Sequence, residues 1–118
     1  MQREIKFRVF DKEAKTMQKV SSIDIENNEV FIYDIGGFDK NLSFDEIELM
    51  QFTGLYDKNG VEIYEGDILE NKKERNVVFF EDGCFYVKFQ DSRYRVGGFD
   101  STFINVIGNI HENPELLK

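Results

Sequence analysis

The run from Asn76 to Phe89, NVVFFEDGCFYVKF, leaves little freedom in what it can form. Apolar side chains recur along two arms, and Asp82-Gly83 stands between them. A two-residue type I′ turn needs positive φ at both central positions, and Asp-Gly accepts that readily. The pattern therefore predicts a hairpin setting Phe80 against Phe85 and Val78 against Val87. Phe89 extends the same face as a core seam, while Val77, Phe79, Cys84, Tyr86 and Lys88 share a half-covered face. Asn59-Gly60 repeats the signal upstream, in GLYDKNGVEIYEGDIL. A two-residue turn there would place Tyr56 opposite Ile63 and Leu55 opposite Tyr64, and Gly66 would let the chain bend before Asp67-Ile68-Leu69.

Other segments carry the same period of two. In EIKFRVF, Ile5, Phe7 and Val9 point one way and Lys6 and Arg8 the other. DKEAKT reads as a polar connection to a strand over residues 20–25, and Asn27-Asn28 as a turn into a strand over residues 29–35. Residues 101–110 read as a last strand, and Asn113-Pro114 as the cap and first position of a short terminal turn. Between Leu42 and Met50, Ser43 and Glu46 have capping-box spacing, which suggests a helix, although the stretch can equally be a strand entering QFTGLY. The aromatic content, 12 Phe and 5 Tyr without Trp, suits pleated surfaces better than helix faces. The expected fold is mainly β. It is a single domain over residues 1–118, a small strongly bent sheet or β-barrel, SH3-like in its second half. An N-terminal β-meander and at most one or two short helices complete it.

With 15 basic and 23 acidic residues the net charge is −8. A field of that sign repels phosphate backbones and anionic lipid, so general nucleic-acid binding and membrane association are not expected. A single cysteine, Cys84, and a single histidine, His111, make neither an internal disulfide nor a zinc site. The sequence shows neither a long apolar run nor a charged-then-apolar leader, so a cytoplasmic location is expected.

Three segments, REIKFRVFDKEAKTM, LMQFTGLYDKNGVEIYEGDIL and IGNIHENPELL, resemble the YopX family along its opening, centre and close. That family comprises small proteins encoded mainly by bacteriophages and prophages of Gram-positive bacteria. The resemblance implies a β-rich, barrel-like fold and a phage setting within a bacterial host cell. It carries over no catalytic residue and no cofactor.

Several constellations imitate chemical sites. Asp57-Lys58-Asn59-Gly60 has its glycine fourth, where an EF-hand loop needs it sixth, so it reads as a turn. Glu70-Asn71-Lys72, with Asp57 or Asp67 upstream, has the carboxylate-lysine form of a metal-dependent nuclease, but Asn71 ill fits a buried central position. Glu65 and Asp67 would share a strand face were Gly66 not between them, and Asp67 alone can accept turn amides. His111 with Ser92 or Ser101 lacks any nucleophile-elbow pattern. No enzyme, cofactor or metal is expected from these residues.

The expected function is that of a non-enzymatic accessory protein binding a host or phage protein, or a second copy of itself. Its candidate surface is the central hairpin, Tyr56, Asp57, Glu62, Tyr64 and Glu65. An acidic nucleic-acid mimic inhibiting a host enzyme is the alternative, and a metal-dependent nuclease a second one.

Overall fold

The computed structural model describes residues 3–33, 36, 39–98 and 103–118, and the chain divides into two compact units. Each has its own apolar core. The meander unit, Lys6–Gln51, contains β1 (Phe7–Asp11), β2 (Thr16–Asp24), β3 (Glu29–Tyr33), β4 (Asp39–Ser43) and the first half of β5 (Ile47–Tyr56). All neighbours are antiparallel, in the order β4-β3-β2-β1-β5. The core of this unit is Val9, Val30, Ile32, Leu42 and Ile47, with Val20, Ile23 and Phe44 packed against it.

Its turns are organised by short polar side chains. Asp11, itself buried, ends β1 and accepts the amides of Glu13 and Ala14, at 3.0 and 3.1 Å. That arrangement folds DKEAKT back so early that β2 begins at Thr16 rather than near Val20. Asp24 takes the amide and the side-chain NH₂ of Asn27, and Asn28 adopts φ 55°. β4 was not foreseen: in DKNLS only Leu42 reaches the core, and one apolar residue in five gives no alternation to read. The Ser43–Glu46 capping box forms as spaced, yet it starts only a three-residue 3-10 turn. Ile47 then becomes extended and pairs with Asp11, so the strand reading of this stretch prevails over a helix. β1 also departs from a one-wet-face strand, because Phe10 is buried as well as Val9.

The hairpin unit, Met1–Ile5 with Phe52–Lys118, begins with the second half of β5 paired to β6 (Glu62–Tyr64). β7 (Asp67–Asn71) lies between β8 (Glu74–Val77) and β12 (Ile104–Asn109). β10 (Cys84–Phe89) lies between β9 (Phe79–Glu81) and β11 (Ser92–Arg95). Every pair is antiparallel. Ile63, Leu69, Val78, Val87, Phe89 and Ile104 form the core.

Of the strongly bent sheet or barrel expected from the sequence, a closed barrel is not formed. Closure requires an unbroken ladder, and here the chain changes partner after Val78, which still pairs on the β7 side while β9 pairs with β10. The Val78 amide donates to the carbonyl of Asp67 at 2.8 Å, and its own carbonyl accepts Gly66 at 2.9 Å. β8 and β9, though adjacent in sequence, therefore belong to separate three-stranded sheets. The Asp82-Gly83 hairpin forms as read, with φ 52° and 78° and Phe80 opposite Phe85. The ladder stops at Tyr86–Phe79, so Val78 and Val87 meet as core neighbours rather than as a ladder pair. At the end of the chain, Pro114 opens a short 3-10 turn as expected. Asn113, however, does not cap it, because its side-chain oxygen accepts the amide of Asn109 at 3.2 Å. No helix among the described residues is long and apolar enough to cross a membrane.

Candidate functional site

The central hairpin is built around a carboxylate. Asp57 is only 6% exposed, and its Oδ1 accepts the amides of Asn59 (2.8 Å) and Val61 (2.9 Å). Its Oδ2 accepts the amide of Val106 on β12 at 3.0 Å. Burial acts to raise the pKa of this carboxyl, but the amides of Val106, Val61 and Asn59 outweigh it and hold the group below its ordinary value. Because the carboxylate gathers Asn59 and Val61, the connection spans Asp57–Val61 rather than two residues, and Asp57 and Val61 pair through their backbones. Gly60 has φ 80°, whereas Asn59 is not left-handed, so the expected type I′ turn is absent. The register slips by one as a result: Tyr56 faces Glu62 and Leu55 faces Ile63, with a bulge between Phe52 and Leu55.

The five residues of the expected surface are therefore differently placed. Asp57 is structural and buried. Tyr64 is half-buried with its ring 5.5 Å from that of Phe52. Glu62 and Glu65 are half-buried, and only Tyr56 is exposed, at 47%. The Tyr56 ring meets Phe52 edge-on at 5.6 Å, and its hydroxyl donates to Glu4 Oε1 at 3.2 Å. The slipped register exposes instead Leu55, at 36%, and Val61, at 46%. An apolar residue on each side of a polar turn was the sequence signal available for them.

Beside this hairpin lies a groove of about 430 Å³ whose walls include Arg3, Leu55, Cys84, Phe85, Arg95 and Val96. Cys84 is a free, half-buried thiol. A larger cleft, about 640 Å³, lies between the β7–β8 and β10–β11 turns and includes Lys72, Lys73, Phe89 and Tyr94. Glu74 ties its two sides together by accepting the amide of Gln90.

The residues that imitate chemical sites have partners of their own in the fold. Asp67 is buried and accepts the amide of Tyr64 at 2.7 Å, with Gly66 at φ 87° breaking the line from Glu65. Glu70 pairs with Arg75 at 2.8 Å. No group of three or more His, Cys, Asp or Glu able to hold a metal occurs among the described residues. His111 has its amide on Asn109 Oδ1, Ser92 lies on exposed β11, and Ser101 lies outside the described residues.

The crystal structure of protein EF1440 from Enterococcus faecalis is similar to this chain with a TM-score of 0.68 and 31% sequence identity. The likeness covers 99% of this chain and 100% of that one. No functionally curated protein matches. The YopX protein family matches residues 6–118, which include the meander, the Asp57-centred hairpin and the closing 3-10 turn. The chain belongs to the YopX protein family.

Proposed function

We propose that this chain is a non-enzymatic accessory protein of a phage or prophage that acts in the host cytoplasm. It binds a protein partner, of the host, of the phage or a second copy of itself, through the tip of the β5–β6 hairpin. The observation that carries this reading is the exposure of Leu55, Tyr56 and Val61 within a single loop-and-strand segment. Aromatic residues anchored on a rigid support are favoured in interfaces because little side-chain entropy is lost on docking. Tyr56 is anchored at both ends, by Phe52 and by Glu4. An SH3-like arrangement of strands in the second half of the chain is part of the same reading.

The acidic-mimic alternative draws less support from the arrangement of charge. Asp11, Asp24, Asp57 and Asp67 are engaged by turn amides, and Glu48, Glu70, Glu81 and Asp82 by cations. Mimicry needs carboxylates laid out free along one face. The nuclease alternative gains no support from Asp57, Asp67 and Glu70, each of which already has another partner.

The test is affinity capture from host cytosol using the wild type beside a Tyr56→Ala, Val61→Asp variant of equal thermal stability. A protein retained by the wild type and lost from the variant is expected. Equal recovery by both would contradict the choice of surface.

A further inference from the structure

The distribution of arginine partners singles out the groove beside the central hairpin. The chain has 23 acidic residues against 15 basic ones, so an arginine has carboxylates in plenty to meet. Arg75 meets Glu70, and Arg93 meets both Glu81 and Asp82 while lying 4.1 Å over the ring of Tyr86. Arg8, in the meander unit, is also engaged. Arg3 and Arg95 form no ion pair with any described residue, and both line this one groove. Two arginines without an ion pair among the described residues thus line one concave surface of an otherwise acidic protein.

The remainder of the groove is suited to more than a bare anion. Leu55, Phe85 and Val96 give it apolar surface, which an inorganic ion cannot use. Gly97 keeps one wall low: its φ is 92°, and a Cβ there would stand 2.8 Å from Leu55 Cδ1. A guanidinium presents a planar fork of donors that matches a carboxylate bidentately. Screening over about 8 Å at physiological salt lets those two forks act locally although the whole chain carries −8.

We propose that the Arg3–Arg95 groove binds an acidic peptide segment of a protein partner, its carboxylates on the two guanidinium groups and its apolar side chains on Leu55, Phe85 and Val96. This rests on the reading that the β5–β6 hairpin docks a protein, and it names the partner chemistry that this surface takes.

Titration calorimetry with a short alternating Glu-Leu peptide tests it, with the matching Gln-Leu peptide and inorganic phosphate as the other arms. Cys84 is the chain's single cysteine and lines the groove, so its alkylation rate reports where a ligand sits. Binding of the Glu-Leu peptide with slowed alkylation of Cys84 is expected. Arg3→Gln and Arg95→Gln should each weaken it about tenfold, the worth of a hydrogen-bonded charge pair, and Arg→Lys variants less. Equal binding of the Gln-Leu peptide, equal protection by phosphate alone, unprotected Cys84, or indifference to both arginines would overturn the proposal. If the peptide fails while Tyr56→Ala, Val61→Asp still loses a captured protein, the groove assignment falls and the hairpin reading stands. If the peptide binds as expected while capture is indifferent to the hairpin tip, the groove stands and the hairpin reading falls.

Discussion

The carboxylate of Asp57 accepts the amide of Val106 at 3.0 Å, joining residues 49 positions apart in sequence. The same side chain holds Asn59 and Val61, so one acid fixes the hairpin loop and ties it to β12. Removing it leaves three amides without their acceptor. Asp57→Ala should therefore destabilise the protein by about 3 kcal/mol and Asp57→Asn by about 2 kcal/mol, since Asn retains one acceptor oxygen. Urea unfolding checks this as a lower midpoint at unchanged slope.

The pH dependence follows from the same group. Its folded pKa lies below the ordinary 3.8, so the folded state favours the ionised form. That stability is fully present above the unfolded pKa and is lost as pH falls through the folded value. Asp24 is lowered in the same direction by the side chain and amide of Asn27, and contributes in the same window. Stability measured by urea at successive pH values should decline below about pH 4. In Asp57→Asn that decline should be shallower, and an identical acid slope in both proteins would contradict the assignment.

The turn between β7 and β8 carries strain that a single change relieves. Lys72 and Lys73 have φ 58° and 127°, a region that costs a non-glycine residue roughly 1 kcal/mol or more. Lys73→Gly should raise stability by about 0.5–1 kcal/mol after the added freedom of the unfolded chain is subtracted. Lys72, whose ammonium lies 5.5 Å over the ring of Phe103, is left in place. Thermal unfolding of the variant reads the shift directly.

The Leu69 side chain tests the core of the hairpin unit, where it is fully buried among Ile63, Val87 and Ile104. Leu69→Ala should cost about 2–5 kcal/mol through lost transfer energy and the cavity left behind. Leu117→Ala, at a residue 37% exposed, should cost far less.

What the sequence made legible was local. Asp82-Gly83 needed only its own two left-handed residues and the alternation around it, and the hairpin formed in the register read. The capping box of Ser43 and Glu46 was equally local and formed as spaced. Its continuation was not, because pairing of Ile47 with Asp11 on β1 outweighed helix propensity within one turn. Asn59-Gly60 failed for a similar reason: a buried acid two residues earlier reached a strand far along the chain and widened the loop. That one-residue slip decides which side chains of the hairpin are exposed, and it moved the candidate surface from Asp57 and Tyr64 to Leu55 and Val61. Arg3 and Arg95 carry no joint signal in sequence, since only the fold brings them to one groove.

The central claim is that the β5–β6 tip docks a protein, and site-specific photo-crosslinking in the host cell tests it most directly. A photoreactive residue is placed at Val61 in one protein and, as the control, at Ile25, the most exposed large apolar residue of the described chain, in another. A defined adduct from position 61 and none from position 25 is the expected result, and its mass separates a foreign partner from a second copy. No adduct from position 61, or the same adduct from both positions, would contradict the account.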